Sequence, residues 1–242
     1  MNSHNKPKVS IIIPTYNRID SLKRAIESVK HQTIKDYELI IINDGSNQKE
    51  YNKLDFNDIK EKVNLINLNK NTKEKFGYPT AGFVRTVGMK KARGEYIAFL
   101  DDDDYWFPKK IEMQIYKMNK YNIGMSATNA YQGKGIYNKD HSYERYINCR
   151  HIYNHYDSKT QIIKHLMGFD IICSKNLINQ VNLCITSTVV IKRTLLKKVN
   201  YMKNIPNHTY PYQDWDCWKR ILEYTDCLYI NKPLVFYSTS SN

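Results

Sequence analysis

The sequence predicts an α/β fold: a mostly parallel central sheet with helices on both faces and a small antiparallel C-terminal part. Two observations carry this. Residues 9–13, 38–42 and 96–100 are short runs of β-branched, aliphatic and aromatic residues, the pattern of strands buried on both faces. Between them lie stretches with apolar residues at helical spacing, giving the order β-α-β-α-β-α-β. In such sheets ligands bind outside the carboxyl ends of the strands, so the loops at those ends are where function is sought.

Each element has its local reason. The first strand, residues 9–13, ends at Pro14-Thr15-Tyr16-Asn17-Arg18. Asp20 or Ser21 is expected to cap the next helix, whose apolar stripe is Leu22, Ala25, Ile26 and Val29. The second strand, residues 38–42, closes in Asn43-Asp44-Gly45-Ser46, with Asp44-Gly45 a turn signal in itself. The polar stretch up to Lys62 reads as helical, residues 63–68 as a third strand, 69–78 as loop and 80–92 as a helix that Gly94 stops. After the strand at 96–100, a helix carrying Ile111, Ile115 and Met118 leads to a strand at 123–129. Residues 131–183 have weak periodicity; a helix is expected near 159–167 and loop elsewhere. A strand at 185–192, a short helix at 193–199, a helix at 213–224 with Trp215 and Trp218, and strands at 227–230 and 234–237 complete the chain. With no repeat, low-complexity tract or linker, residues 1–242 read as one domain.

The 37 Lys and Arg against 24 Asp and Glu give a net charge of +13, which points to an acidic partner. The basic residues are spread out rather than clustered, which argues against nucleic acid. No run approaches the ~20 apolar residues of a membrane span. The polar residues 1–8 run straight into a strand, so no signal peptide is expected. Five cysteines without a C-x-x-C pair fit reduced thiols in the cytoplasm. His151 and His155 have the spacing of two ligands on one helix face but lack the Glu of a zinc protease, so a structural or surface role is expected.

The chemistry concentrates at residues 94–108. Four consecutive aspartates, Asp101, Asp102, Asp103 and Asp104, follow a buried strand directly. Hard cations such as Mg²⁺ or Mn²⁺ take carboxylate oxygens and leave positions open for phosphate. The bland alternative is a solvated acidic turn, but Tyr105, Trp106, Phe107 and Pro108 wall these carboxylates with apolar bulk, so a metal site is expected. Neither Gly-x-Gly-x-x-Gly nor Gly-Lys-Ser/Thr occurs where a dinucleotide or P-loop site requires it.

Four segments together resemble the inverting glycosyltransferases of family 2, with the GT-A (Rossmann-like) fold. They are Val-Ser-Ile-Ile-Ile-Pro-Thr-Tyr-Asn-Arg at 9–18, Asn-Asp-Gly-Ser at 43–46, Ala-Arg-Gly-Glu-Tyr-Ile-Ala-Phe-Leu-Asp-Asp-Asp-Asp at 92–104, and Gln-Asp-Trp-Asp-Cys-Trp-Lys-Arg at 213–220. The resemblance implies a nucleotide-binding half at 1–108 and an acceptor-binding, catalytic-base half at 109–242. Pro14, Thr15, Tyr16 and Arg18 would hold the donor nucleotide, with Tyr16 against the base. Asp44 would accept from the base N3–H, which suits uracil or thymine. Arg85 would lie near the base or diphosphate, Asp101 or Asp102 would meet the ribose, and Asp103 would coordinate Mn²⁺ or Mg²⁺. Asp214 would be the catalytic base. Asn43 for Asp, Thr86 for Asn and Gln213 for Glu depart from the family pattern, and the tail Tyr237-Ser-Thr-Ser-Ser lacks its common Arg or His.

The chemistry asks for these groups in its own right. Displacing a nucleoside diphosphate from an anomeric carbon builds negative charge that a metal absorbs, and one carboxylate on the opposite face takes the proton of the attacking hydroxyl. The resemblance implies a reaction that moves a hexose or N-acetylhexosamine from a UDP-sugar to a lipid-linked glycan acceptor in surface polysaccharide synthesis. The +13 charge without a span, added to what the resemblance implies, leads to the expectation of a cytoplasmic protein at the inner face of the membrane, in peripheral contact with anionic lipid. The competing functions are a degenerate nucleotide-sugar or anionic-surface binding protein without transfer activity, and a nucleotidyltransferase, which would want a Gly-rich basic loop after the first strand.

Overall fold

The computed structural model describes residues 6–47, 49–56, 58–146, 170–180, 182–206, 208–209 and 212–239. Within them ten strands form one sheet, ordered β3-β2-β1-β4-β9-β6-β10-β5, with β7 added on β6 and β8 on β10. The strands are β1 (Val9–Thr15), β2 (Tyr37–Asn43), β3 (Val63–Asn67), β4 (Tyr96–Phe99), β5 (Tyr105–Trp106), β6 (Met125–Gly133), β7 (Glu144–Arg145), β8 (Ile171–Cys173), β9 (Val190–Lys192) and β10 (Cys227–Ser238). β3, β2, β1 and β4 run parallel, as do β6 and β10; the short β5, β7, β8 and β9 pair antiparallel.

The β-branched runs lie buried because both sheet faces are covered. Ile11, Ile13, Leu39, Ile41, Ala98 and Leu100 pack with Leu22, Ala25, Ile26 and Val29 of α1 (Ile19–Lys30) and with Ile111, Ile115 and Met118 of α4 (Lys110–Lys120). The alternate residues Ile12, Ile40, Ile42, Ile97 and Phe99 meet α3 (Ala81–Lys91) and α7 (Gln213–Ile221) through Val84, Met89, Trp215, Trp218 and Ile221. Each fully buried aliphatic or aromatic side chain contributes about 1.5–3 kcal/mol, so these two layers dominate stability. Gly88 lets α3 approach the sheet: a Cβ there would stand 2.7 Å from Ile42 Cδ1 and 2.9 Å from Ile12 Cγ2.

Below the sheet, Glu38 fixes the turn into β4. Burial would push its carboxyl up, but bonds from Ser10 Oγ (2.6 Å), the Arg93 N–H (2.6 Å) and Arg93 Nε (2.9 Å) outweigh that and hold it below its ordinary range. Among the described residues no helix is long and apolar enough to cross a membrane.

Several expectations are corrected. Helix α1 begins at Ile19 with Arg18 at its N-cap, and neither Asp20 nor Ser21 caps it; both lie inside the first turn. The stretch before Lys62 holds two 3-10 turns, Lys49–Lys53 and Lys60–Lys62, because it has no apolar stripe to bury. The expected loop at 69–78 contains α2 (Thr72–Phe76), capped by Asn71 Oδ1 on the Glu74 N–H (2.9 Å) and closed by Gly77 at φ 81°. The expected strand at 185–192 divides into a 3-10 turn, Thr186–Thr188, and β9. The sixth strand runs to Gly133, and α7 ends at Ile221. The two last strands are one, its register shifting around Pro233, which has no N–H for the ladder. An unexpected helix, α5 (Lys175–Gln180), follows β8, while α6 (Arg193–Lys198) is the short helix expected behind β9. The helix expected at 159–167, His151, His155 and Cys149 lie outside the described residues.

Candidate active site

The parallel strands β1, β2 and β4 end at one edge, and their loops enclose a cavity of about 460 Å³. Nine of the ten residues expected at the site line it: Pro14, Thr15, Tyr16, Arg18, Asp44, Arg85, Asp101, Asp102 and Asp103. Asp214 does not.

The loop after β1 is stitched to the loop after β2. Asn17 turns the chain at φ 52°, its N–H donates to Ser46 Oγ (2.9 Å), and its Oδ1 accepts from the Asn47 N–H (3.0 Å). The buried Tyr51 hydroxyl accepts from the Arg18 N–H (3.0 Å) and bonds Thr15 Oγ1 (2.7 Å). The backbone is thus held from beneath while the Tyr16 ring stands at the mouth, 46% exposed. Asn43 Oδ1 accepts from the Ser46 N–H (3.0 Å) and shapes the second loop.

Asp44 serves the fold as well as the cavity. Its Oδ1 accepts from the Thr72 N–H (2.9 Å) and its Oδ2 from Thr72 Oγ1 (2.8 Å), which anchors the start of α2. Burial pushes its carboxyl up, and the Thr72 bonds pull part of the way back.

The acidic loop divides its four carboxylates among different partners. Asp101 pairs with Arg85, a buried arginine on α3. Asp103 Oδ2 accepts from Arg18 Nη1 at 2.8 Å, and the same nitrogen lies 3.5 Å from Asp102 Oδ1. Burial pushes Asp102 up to about 7, and the neighbouring negative charge of Asp103 adds to it against the Thr15 hydroxyl. Burial and Asp101 raise Asp103, with Arg18 opposing. Asp104 is buried away from the cavity; its Oδ1 accepts from the Ser238 N–H (2.9 Å). Asp102 Oδ2 and Asp104 Oδ2 are buried with no hydrogen-bond partner among the described residues.

Asp214 opens α7 behind Arg85. Its Oδ2 accepts from Thr186 Oγ1 (2.8 Å) and its Oδ1 from the Trp215 N–H (2.7 Å). Burial would lower the Arg85 guanidinium, but the charges of Asp101, Asp214 and Asp102 more than compensate, so Asp214 lies within electrostatic reach of the cavity. The side chain before it docks the helix: Gln213 Oε1 accepts from the Gly82 N–H and from Thr80 Oγ1 (3.2 Å). Sequence reading gave no role to Tyr51, Thr72, Thr186 or Ser187, and noted the cavity-lining Tyr237 and Ser238 only as a tail without the family's common Arg or His. Thr72 carried a local signal, the Asn-Thr-x-Glu capping pattern ahead of Gly77.

The profile of Glycosyl transferase family 2 matches residues 10–199. The chain belongs to that family. Escherichia coli WfgD, a UDP-Glc:alpha-D-GlcNAc-diphosphoundecaprenol beta-1,3-glucosyltransferase, is 39% identical over 116 residues, 48% of this chain and 42% of WfgD. Staphylococcus aureus TarP, a poly(ribitol-phosphate) beta-N-acetylglucosaminyltransferase, is 39% identical over 132 residues, 53% of this chain and 38% of TarP. The chain spans less than half the length of the curated relatives it matches. The crystal structure of S. aureus TarS 1–349 in complex with UDP superimposes with a TM-score of 0.68 at 16% identity, covering 96% of this chain and 61% of that one. That likeness carries the fold, which is GT-A: a mixed α/β sheet, mostly parallel, with short antiparallel additions.

Metals are common in family 2 sites of this fold, and the donor set here can be tested for one. Among the described residues no three Asp, Glu, His or Cys side chains form a metal cage by themselves. The acidic loop nevertheless presents Asp102 and Asp103 to the cavity, with burial opposing the negative charge of both. One Asp102 oxygen is buried without a partner. These residues fit a hard cation that takes one or two carboxylates and fills its remaining positions with phosphate and water.

Proposed function

We propose that this family 2 chain transfers a hexose or N-acetylhexosamine from a UDP-sugar to a sugar hydroxyl of a lipid-linked glycan, inverting the anomeric centre, in surface polysaccharide synthesis of the O-antigen or capsule type. The observation that carries the reading is the convergence of Tyr16, Asp44, Arg85 and Asp101, Asp102 and Asp103 on one cavity, with Asp214 behind it. In this reading Pro14, Thr15 and Tyr16 seat the nucleoside, Asp101 or Asp102 meets the ribose, and Arg18 and Arg85 face the diphosphate. Asp103 of the D-x-D segment holds Mn²⁺ or Mg²⁺, with Asp102 beside it. The cation would supply positive charge where the leaving diphosphate becomes more negative. Asp214 takes the proton from the acceptor hydroxyl on the far side of the sugar, which yields inversion.

Asp44 selects the base. Its oxygens already accept two bonds from Thr72, and each carboxylate oxygen retains a lone pair for the N3–H of uracil. Adenine presents the ring acceptor N1 where uracil presents N3–H, and an acceptor facing a carboxylate is repelled. UDP is expected to bind at least tenfold more tightly than ADP in calorimetric titrations with Mn²⁺ present. Equal affinities would overturn the uracil assignment.

The acceptor side includes the membrane. The +13 charge, with no spanning helix among the described residues, supports peripheral binding to anionic lipid at the cytoplasmic face, at about 1 kcal/mol per basic residue near the surface. The protein is expected to sediment with vesicles rich in anionic lipid at low salt and to leave them at high salt, where charges are screened. Failure to sediment at low salt would favour an acceptor away from the membrane.

A further inference from the structure

The 3-10 turn Thr186–Thr188 touches both halves of the site. The Thr186 hydroxyl donates to Asp214 Oδ2 at 2.8 Å. The next residue faces the other way: Ser187 Oγ accepts from the Asp101 N–H at 2.9 Å, and Ser187 O accepts from Trp106 Nε1 at 2.8 Å. The turn is closed on itself by the Thr188 N–H on Ile185 O (2.9 Å) and the Val189 N–H on Thr186 O (3.1 Å). Its far end is held by Gln114 Nε2 on Thr188 O (2.9 Å). All three residues are buried.

Buried hydroxyls are kept where they have bonds to make, and these two bond, in opposite directions, the carboxylate on one side and the acidic loop on the other. Misplacing a reacting group by about 1 Å can cost 10²-fold in rate, so an element that fixes the spacing of two such groups sets the rate. We infer that Thr186 and Ser187 are positioning residues of the transfer reaction: Thr186 aims the Asp214 carboxylate, and Ser187 sets the height of the acidic loop under the donor. This rests on the roles given above to Asp214 and the loop.

The two residues separate in their effects. Thr186→Val keeps the shape and removes the hydroxyl; kcat should fall about ten- to a hundredfold, the scale of a hydrogen bond to a charged group, with UDP affinity unchanged. Thr186→Ala removes the same hydroxyl without the added methyl and should show the same loss, whereas Thr186→Ser should restore kcat. Ser187→Ala should instead weaken UDP binding by about tenfold in titration calorimetry, a readout independent of turnover. A merely structural turn would lower kcat and UDP affinity together in every variant, and that result, or wild-type kcat in Thr186→Val and Thr186→Ala, would overturn the inference. Asp214→Asn is the control. If it is inactive while Thr186→Val is not, positioning fails alone; if it is active, the base assignment itself fails.

Discussion

Asp214→Asn is expected to lower turnover by ~10²-fold or more while leaving UDP bound as before. That is the scale of losing a general base. The substitution keeps the side-chain shape. Thr186 Oγ1 donates to one Asp214 oxygen and the Trp215 N–H to the other. An amide retains one acceptor for these, and a hydroxyl can accept from the amide N–H₂ in turn, so the start of α7 should hold. Gln213, which docks α7 on α3 through Gly82 and Thr80, is untouched. Asp214 does not line the cavity, so none of the residues proposed to seat UDP is removed. Single-turnover rates with a UDP-sugar and acceptor, and the anomeric configuration of the product by NMR, check the expectation. Near-wild-type turnover, or retained configuration, would reduce Asp214 to a residue that opens a helix.

Asp103→Asn should abolish the Mn²⁺ dependence of UDP binding. An amide oxygen is a much poorer ligand for a hard cation than a carboxylate, and losing a direct ligand should exceed the 10–100-fold typical of an outer-shell partner. The fold should survive, because Asp103 stands at the cavity wall and bonds Arg18 rather than the core. Titration of UDP with and without Mn²⁺ into the wild type and the variant, with thermal melts to confirm folding, is decisive. Unchanged Mn²⁺ dependence would remove Asp103 from the metal and turn attention to Asp102, whose buried Oδ2 has no partner among the described residues.

The parts of this molecule legible in its sequence share one property: their cause is local. The strands β1, β2 and β4 announce themselves by short runs of β-branched, aliphatic and aromatic residues, and α1 by a stripe at helical spacing. The Pro14 to Arg18 loop, Asp44 and the acidic loop follow those strands directly, so topology alone brings them to one edge. What escaped reading depends on distant partners. Tyr51 sits in a polar stretch with no pattern, and only the fold carries its hydroxyl to Thr15. Thr186 and Ser187 lie in a segment whose alternation mimics a strand, yet their hydroxyls leave the ladder to bond groups on α7 and after β4. The short α2 escaped because five residues are too few for a periodicity to show, although its caps were written in the sequence.

The bond from the Ser238 N–H to Asp104 spans 134 residues, and the same strand pairs β5, which directly follows the acidic loop. On a ribosome the aspartates emerge long before β10 does. Until that strand docks, Asp104 lacks this partner and the cavity lacks Tyr237 and Ser238. Synthesis therefore completes the cavity only once β10 has docked. A nascent chain is not an enzyme at the point where its most recognisable motif has already appeared.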